Sequence, residues 1–228
     1  MKLQGKVALV TGASEGIGRA LIDELTAHGV RCIAVSRESE SKPHASEMVV
    51  SKNCDVGKTE AVTSLLQWIE AEYKELDIVV NNAGLWQKLG PVESIDDSTI
   101  EQVVQTNLLG PIYVTKSTLP LLRKASEAAL VNIVSKSGVV AQAGQSVYTA
   151  TKFGLRGFTD VLREDLKESS IHVMAVYQAG TNTQMFSKVG DTPPLEKFTE
   201  PADLAEYIVG VLAGPPKFWV KELHVDYK

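Results

Sequence analysis

The sequence is poor in the side chains that build disulfide frameworks and metal sites. It has two cysteines in 228 residues, Cys32 and Cys54, and two thiols are too few for a disulfide scaffold or a cysteine-rich metal centre. The four histidines are scattered and lack the spacing of metal ligands. We therefore expect no bound metal, and we interpret both cysteines as buried free thiols rather than a redox pair.

The sequence also lacks an excess of positive charge and any long apolar run. Lys and Arg number 23 against 28 Asp and Glu, a net charge of -5, whereas binding to nucleic acid requires a basic face that neutralises phosphates. No apolar stretch approaches the ~20 residues of a membrane span, and the first residues contain no apolar leader core. We expect a soluble, cytoplasmic protein that binds neither nucleic acid nor membrane.

The sequence does contain enough apolar residues for a packed core. Hydrophobic residues make up 44% of the chain and charged residues 22%, as in ordinary globular proteins. A length of 228 residues corresponds to one large domain or two small ones.

Short apolar runs alternate with stretches of helical periodicity along the chain. The runs are almost entirely apolar, which is typical of strands buried on both faces. This alternation predicts an α/β fold, a doubly wound parallel sheet of Rossmann type with three α/β/α layers and about seven strands. The predicted strands begin near Val7, Val30, Met48, Asp77, Ala129, Ile171 and Leu223, and helical patterns lie between them, including a long one over 98–123 and another over 147–167.

Two connections in this pattern are irregular. The polar stretch 38–47 contains Pro43 and is too short for a complete crossover helix. The segment 181–201 is the longest irregular piece, with Pro193-Pro194 inside it. Because long loops in compact domains are often functional, we interpret 181–201 as a loop that closes over the substrate.

A glycine-rich turn follows the first predicted strand and opens the first predicted helix. Gly12, Gly16 and Gly18 would let the backbone approach a pyrophosphate, and the helix N-terminus offers unpaired N–H groups. The alternative interpretation is a tight turn without a ligand. The position of the turn between strand and helix favours nucleotide binding, and no Gly-Lys-Ser/Thr follows that would indicate a P-loop.

The detailed spacing of the motifs resembles that of the short-chain dehydrogenase/reductase family. The motifs that carry the resemblance are, in order, Thr11-Gly12-x-x-x-Gly16-x-Gly18, Asn81-Asn82-Ala83-Gly84, Asn107, Ser135 and Tyr148-x-x-x-Lys152. It covers about residues 6 to 185 and implies one NAD(P)-binding domain over 1–228 with the active site inside it. One departure is Gln178-Ala179, where the family usually has Pro-Gly, although Thr183 still stands at the position of the family's nicotinamide-side threonine.

The resemblance assigns catalytic roles to four residues. Tyr148 would be the general acid in reduction and the general base in oxidation, and Ser135 would hydrogen-bond the substrate oxygen. A free tyrosine has a pKa near 10, and Lys152, one helical turn away on the same face, would lower it. Asn107 would hold a water that links Lys152 to solvent. The alternative interpretation is a kink residue before Gly110-Pro111, and both roles can hold together.

The end of the second predicted strand indicates which dinucleotide binds. An acidic residue there would favour NAD(H), whereas Arg37 after Ser36 can accept a 2′-phosphate, so we predict NADP(H) with NAD(H) as the less favoured alternative. Arg37 could instead be a solvated surface charge, and Glu15 in the glycine turn opposes the prediction. The cofactor contacts expected in all are Gly12, Ser14, Glu15, Gly16, Ile17, Gly18, Ser36, Arg37, Asp55, Val56, Asn81, Ala83, Gly84, Tyr148, Lys152, Thr181 and Thr183.

The substrate pocket should be built from the loops after the fourth, fifth and sixth strands. Aromatic and apolar walls with a few polar groups suit a small carbonyl compound or alcohol. The residues expected to contact substrate are Trp86, Ser137, Gln142, Tyr177, Met185 and Phe186, and Leu85, Gln87, Val139 and Gln178 are further candidates for the pocket wall. Trp86 could instead belong to the core or to an interface.

The resulting hypothesis is an NADP(H)-dependent carbonyl reductase or alcohol dehydrogenase. The resemblance also implies a homodimer or homotetramer formed through the long helices over 98–123 and 147–167. Two alternatives remain open at this point. One is a non-catalytic NADP(H)-sensing regulator, and the other is an epimerase or dehydratase on the same fold.

Overall fold

A computed structural model shows a seven-stranded sheet with helices on both faces. It describes residues 1–40, 42, 44–215 and 217–226. All strands are parallel, in the order β3-β2-β1-β4-β5-β6-β7. The strands are β1 Val7–Thr11, β2 Arg31–Ser36, β3 Val49–Asn53, β4 Ile78–Asn81, β5 Ala128–Ile133, β6 Ile171–Gln178 and β7 Glu222–Val225. The helices are α1 Gly16–Ala27, α2 Thr59–Glu72, α3 Asp97–Val104, α4 Gly110–Leu122, α5 Ser146–Asp165 and α6 Pro201–Leu212. The predicted doubly wound sheet is confirmed.

The core lies on both faces of the sheet because its central strands are apolar except for Thr11, Asn81 and Asn132. Every residue of β1, β4 and β5 is buried. On one face α1 and α6 pack their apolar stripes, with Leu21 and Ile208 fully buried. On the other face α2, α4 and α5 contribute Ile69, Leu121 and Leu162. Such burial of apolar area is the main stabilising contribution to the fold.

The long helical pattern over 98–123 divides into two helices. A π-helical turn, Gln105–Leu109, separates α3 from α4, and Asn107 lies inside it. Pro120 lies inside α4, close to its C-terminal end. The polar connection between β2 and β3 contains no helix in its described residues, as predicted from its length.

The loop 181–201 holds two short 3₁₀ turns, Ser187–Val189 and Leu195–Lys197. Its two ends meet in an isolated parallel bridge between Thr181 and Thr199. Cys32 and Cys54 are buried free thiols, as predicted. No helix in the described part of the chain is long and apolar enough to span a bilayer.

The chain order reverses between β1 and β4, which are neighbours at the middle of the sheet. In open α/β sheets this switch point leaves a crevice beyond the carboxyl ends of the strands, where ligands bind. The residues that follow β1, β4, β5 and β6 are therefore brought together at one edge.

Candidate active site

A cavity of about 880 Å³ opens at the carboxyl edge of the sheet. It runs from the turns after β1 and β2 to the loop 181–201. Most of the residues predicted from the sequence line it: Gly12, Ser14, Glu15, Gly16, Ile17, Ser36, Arg37, Asp55, Val56, Ala83, Gly84, Trp86, Ser135, Ser137, Gln142, Tyr148, Lys152, Thr181, Thr183, Met185 and Phe186. Four of the predicted residues do not line the cavity: Gly18, Asn81, Asn107 and Tyr177. The structural cause differs for each of them and is described below.

The glycine turn requires its glycines for two separate reasons. Gly12 and Gly16 have φ of +67° and +54°, in the left-handed region that other residues rarely adopt. Gly18 is needed for close packing, because a Cβ there would lie 2.2 Å from the Gly12 carbonyl oxygen and 2.5 Å from Asn82 Nδ2. Gly18 therefore supports the turn from behind.

The end of β4 is tied to the glycine turn by Asn82 and Thr11. Asn82 Nδ2 donates to the carbonyl oxygens of Thr11 at 2.9 Å and Gly12 at 3.2 Å. Thr11 Oγ1 in turn accepts from the backbone N–H groups of Asn82 at 3.0 Å and Ala83 at 3.1 Å. Asn82 also lines the cavity, a contact that was not predicted from the sequence although the residue belongs to the motif Asn81-Asn82-Ala83-Gly84.

The structure places Asn81 inside the protein rather than at the cavity. Its Nδ2 donates to Thr115 Oγ1 at 3.0 Å and to Asn132 Oδ1 at 2.9 Å, and Asn132 Nδ2 donates to Thr159 Oγ1 at 2.8 Å. Side chains alternate along a strand, so consecutive asparagines at the end of β4 face different surroundings. This buried chain of hydrogen bonds joins α4 and α5 to the sheet.

Ser135, Tyr148 and Lys152 come together in the middle of the cavity wall. Ser135 lies two residues after the end of β5, and the other two lie on the first turns of α5. The Ser135 hydroxyl hydrogen-bonds Tyr148, and Lys152 Nζ lies 5.6 Å from the centroid of the Tyr148 ring. Lys152 Nζ also donates to the Ile133 carbonyl oxygen at 2.9 Å.

Ser135 has a strained backbone. Its φ is 120°, and it is the one described residue other than glycine with a positive φ. The conformation is held by Ser135 N–H donating to the Val176 carbonyl at 3.2 Å and by Gly138 N–H donating to the Ser135 carbonyl at 2.9 Å. Strain of this kind concentrates at functional sites, where surrounding structure fixes a side chain in position.

Burial displaces the pKa values of Tyr148 and Lys152 in opposite directions. Desolvation raises the pKa of Tyr148 to about 12, and the hydrogen bond from Ser135 partly opposes the rise. Desolvation also lowers the pKa of Lys152 to about 7. Without a ligand the cavity thus favours the neutral form of each group.

The free energy of unfolding of the cofactor-free protein should rise from pH 7 to about pH 8.5, below the range in which the buried thiols of Cys32 and Cys54, whose pKa values burial raises, oppose the rise. Because the pKa of Lys152 falls from 10.5 to about 7 on folding, the unfolded chain binds more protons in this window, and stability increases with pH. In Lys152→Met the rise should be smaller, by at most about 1.4 kcal/mol per pH unit. Urea unfolding across this range measures the slopes, with exposed Lys74→Met as the control. Equal slopes in all three proteins would contradict the buried, displaced lysine.

Asn107 is fully buried and braces the loop after β4. Its Oδ1 accepts from Leu85 N–H at 2.7 Å, and its Nδ2 donates to the Leu85 carbonyl at 2.8 Å and to Thr151 Oγ1 at 3.4 Å. Every polar atom of the amide therefore has a partner, as a buried amide requires. Asn107 joins the π-helical turn to α5, and the water relay through it stays a prediction.

Gln87 lies beneath α5 instead of on the pocket wall. Its Oε1 accepts from the backbone N–H of Tyr148 at 2.7 Å, and its Nε2 donates to the Gly144 carbonyl at 3.3 Å. The first N–H groups of a helix lack partners within the helix, so Gln87 caps the end that carries Tyr148. Nothing in the sequence around Gln87 indicates this role.

Aromatic rings form the substrate side of the cavity. Trp86 meets Tyr148 edge-on at 4.6 Å between ring centroids and Phe186 at 5.2 Å, and Phe186 meets Phe198 at 5.6 Å. Trp86 Nε1 donates to Asp191 Oδ2 at 2.7 Å, which holds the indole in place. Phe198 and Asp191 also line the cavity, and neither contact was predicted from the sequence.

A polar network faces the same space from the turn after β5. Ser137 Oγ donates to Gln145 Oε1 at 2.9 Å, and Gln145 Nε2 donates to Gln142 Oε1 at 3.0 Å. Ser135 Oγ accepts from the Ser137 N–H at 3.1 Å. The hydroxyl of Ser135 is therefore oriented from both the α5 side and the substrate side.

The structure places Tyr177 away from the active-site cavity. Its ring stacks on His224 at 4.6 Å and lines a separate cavity of about 210 Å³ together with Val139. Gln178, the next residue, is the one that reaches the active-site cavity. Successive side chains of a strand point to opposite faces, so a shift of one residue along β6 exchanges the two positions.

The other end of the cavity suits a phosphate-bearing nucleotide. Ser36, Arg37, Lys42, Asp55 and Val56 surround it, next to the N-terminus of α1. Two buried side-chain oxygens on the wall, Thr181 Oγ1 and Gln178 Oε1, have no hydrogen-bond partner within the described chain. Buried polar atoms are normally paired, so these oxygens indicate that a bound molecule completes the site. The residues present therefore fit a dinucleotide.

A bound metal ion would require a cluster of side chains that could ligate it. Within the described ranges, no group of three or more His, Cys, Asp and Glu side chains could hold a metal ion.

Comparison with known proteins identifies the family. Residues 6–194 match the family described as short chain dehydrogenase. The chain belongs to the short-chain dehydrogenase family. It is an oxidoreductase of the kind that acts on CH–OH groups with NAD(P), and the resemblance drawn from its motifs is confirmed.

Two relatives of this short-chain dehydrogenase match it over nearly their whole length. The 3-oxoacyl-(acyl-carrier-protein) reductase FabG of Pseudomonas aeruginosa is 33% identical over 229 residues, covering 94% of this chain and 92% of that protein. Carbonyl reductase family member 4 of Danio rerio is 32% identical over 220 residues, covering 92% of each.

Solved structures share the fold closely. The closed form of serine dehydrogenase complexed with NADP⁺ has a TM-score of 0.87 and 29% identity, covering 96% of this chain and 94% of that one. The 3-ketoacyl-(acyl-carrier-protein) reductase from Brucella melitensis, complexed with NADH, has a TM-score of 0.88 and 25% identity, covering 98% of each. Similar structures therefore bind a nicotinamide dinucleotide of either kind.

Proposed function

We propose that this short-chain dehydrogenase is an NADP(H)-dependent carbonyl reductase or alcohol dehydrogenase acting on a small substrate. The observation that carries the proposal is that Ser135, Tyr148 and Lys152 are buried together in one cavity, where Ser135 hydrogen-bonds Tyr148. Buried titratable groups with displaced pKa values in a cleft indicate proton chemistry, which a nucleotide sensor would not need.

Tyr148 is the proton-transfer group in this proposal. It donates its phenolic proton to the carbonyl oxygen during reduction and takes the hydroxyl proton during oxidation. When bound, the dinucleotide supplies or accepts the hydride. Ser135 hydrogen-bonds the same oxygen and orients it, because its hydroxyl is already directed at Tyr148.

Lys152 sets the proton affinity of Tyr148. A protonated ammonium near a phenol favours the phenolate and lowers its pKa, the opposite of the effect of burial. With a pKa of about 7, Lys152 changes charge near neutral pH. It also has donors to offer to ribose hydroxyls once it releases the Ile133 carbonyl.

Arg37 is the proposed contact of the 2′-phosphate. It is exposed, lines the cavity and directly follows β2, and a guanidinium binds phosphate oxygens bidentately. NAD(H) remains the alternative cofactor. The glycine turn and Asp55, Val56, Ala83, Gly84, Thr181 and Thr183 would hold the rest of the dinucleotide.

Arg37→Ala should lower the preference for NADPH over NADH by at least about tenfold, the effect of losing charge-assisted hydrogen bonds to a phosphate. The kcat/KM values with NADPH and NADH measure the preference. Arg31→Ala removes an exposed arginine from the opposite end of β2 and should leave the preference unchanged. An unchanged preference in Arg37→Ala would contradict the assignment.

The substrate side suits a small neutral carbonyl compound with an apolar or aromatic group. Trp86, Met185 and Phe186 offer apolar contacts, while Ser137 and Gln142 offer hydrogen bonds. Asp191 adds negative charge beside Trp86, which disfavours a substrate carboxylate there.

The remaining parts of the proposal concern assembly and setting. We propose one domain over residues 1–228, with 181–201 as its substrate loop, in a cytoplasmic homodimer or homotetramer. Exposed apolar side chains on α5, Phe153 at 42% and Val161 at 61%, support association through that helix.

A panel of aldehydes and ketones, followed by NADPH absorbance, tests the proposed reaction. Oxidation of NADPH that depends on the carbonyl compound supports the reductase. Cofactor binding with no oxidation across the panel, together with a stable protein partner, would favour a sensor instead.

A further inference from the structure

An ion pair connects the substrate loop to the glycine turn. Lys188 Nζ, on the 3₁₀ turn Ser187–Val189, contacts Glu15 Oε1 across 173 residues of sequence. Both residues line the cavity. Glu15 is the last residue before α1, where it makes no side-chain hydrogen bond to the helix end.

An acid in the glycine turn is unfavourable for a dinucleotide that carries a 2′-phosphate. The partial positive charge at the N-terminus of α1 attracts the pyrophosphate that NADH and NADPH share, whereas the additional 2′-phosphate of NADPH would lie at the end of the cavity that holds Arg37, where the Glu15 carboxylate repels it. Lys188 removes that repulsion, because its ammonium is paired with the Glu15 carboxylate.

The charge of the same ammonium also acts on Glu38, just after β2. The pKa of Glu38 lies below its usual value, first because Lys42 hydrogen-bonds it and then because of the positive charges of Lys42, Lys188 and Arg37. Lys42 Nζ lies 3.0 Å from Glu38 Oε2. All these side chains border one end of the cavity, where three cations, Arg37, Lys42 and Lys188, meet three acids, Glu15, Glu38 and Asp55. Without Lys188 the acids would outnumber the cations.

We propose that Lys188 is a specificity-determining residue that adapts an acidic glycine turn to a dinucleotide with a 2′-phosphate. It neutralises Glu15 and adds positive charge beside Arg37, so the substrate loop takes part in choosing the cofactor. This inference rests on the proposed use of NADP(H). It predicts that loss of Lys188 weakens NADPH binding and leaves NADH binding nearly unchanged.

Titration of the purified protein with NADPH and NADH, without substrate, tests this directly. Lys188→Met should raise the Kd of NADPH about tenfold, the effect of one charge-assisted contact, and should change the Kd of NADH less than about twofold. Lys197→Met, an exposed lysine of the same loop outside the cavity wall, is the matched control and should change neither Kd.

The Glu15→Gln background separates charge from loop position. If Lys188 acts by neutralising Glu15, the effect of Lys188→Met on NADPH should shrink to about threefold or less in Glu15→Gln. If Lys188→Met instead weakens NADPH and NADH equally, or neither, the specificity role is overturned.

If the NADP(H) assignment itself is wrong, the Kd values will differ from those expected if only the role of Lys188 is wrong. A wild-type protein that binds NADH as tightly as NADPH, with Arg37→Ala changing neither Kd, would overturn the proposed NADP(H) and this inference together. A wild-type preference for NADPH that depends on Arg37 but not on Lys188 would overturn this inference alone.

Discussion

Tyr148→Phe should lower kcat for carbonyl reduction by about 10³-fold, within the range that general acid–base catalysis contributes. The substitution removes only the hydroxyl, so the ring keeps its edge-on contact with Trp86 at 4.6 Å and its place on α5. Ser135 can still hydrogen-bond the substrate oxygen, but no group replaces the Tyr148 hydroxyl as the proton donor. The Kd of NADPH should change less than about twofold, because the lost hydroxyl contributes proton transfer and not binding.

Steady-state assays and a separate titration with NADPH distinguish these two effects. Tyr207→Phe is the matched control, because Tyr207 is 67% exposed on α6, away from the cavity wall, and should retain full activity. Substantial residual turnover in Tyr148→Phe, with bound cofactor and normal stability, would overturn the proposed mechanism.

Gly18→Ala should raise the Kd of the dinucleotide by between about 10- and 100-fold, since overpacking costs about 1–3 kcal/mol and each 1.4 kcal/mol is a factor of ten. The new Cβ would stand 2.2 Å from the Gly12 carbonyl oxygen and 2.5 Å from Asn82 Nδ2. Neither neighbour can retreat alone, because Asn82 Nδ2 donates to that same carbonyl at 3.2 Å. The glycine turn must therefore shift away from the geometry that binds phosphate.

The change in the free energy of unfolding distinguishes Gly18→Ala from an ordinary glycine-to-alanine substitution in a helix. An alanine in place of glycine within a helix normally stabilises a protein by up to about 1 kcal/mol. Gly210→Ala, at an exposed position of α6 with open space around it, should show that gain and normal cofactor affinity. If Gly18→Ala resembles Gly210→Ala in both thermal unfolding and Kd, close packing is not the reason for this glycine.

The sheet could be predicted from the sequence because its strands are buried on both faces. The runs over residues 7–10 in β1 and 128–131 in β5 are apolar without interruption, and short apolar runs between helical patterns are typical of parallel strands. The π-helical turn Gln105–Leu109 could not be predicted, because its widening adds one residue within a pattern that still reads as helix. It is set by the tertiary contacts of Asn107.

Residues of the candidate site could be predicted from the sequence wherever the spacing of a motif determines how close its side chains lie. Tyr148 and Lys152 lie four residues apart on one helix, so their proximity follows from the spacing. Tyr177 and Gln178 differ by one residue, and the apolar pattern of a fully buried strand does not indicate which of them faces the ligand. Contacts such as Trp86 with Asp191 join residues 105 positions apart through an irregular loop, where no periodicity exists to reveal them.

Because the bridge between Thr181 and Thr199 closes the base of the loop, the segment between them is a suitable place for engineered sequence changes. Asn182 N–H donates to the Thr199 carbonyl at 2.9 Å, and its side chain donates to Glu200 at 2.8 Å, so the fold closes the base of the loop independently of its tip. Closing a longer loop on a fixed base adds only about 0.6 kcal/mol per doubling of length. New pocket walls can therefore be grafted between these anchors for directed evolution of substrate selectivity, provided that Thr183 and Lys188, which are proposed to act on the cofactor, are retained.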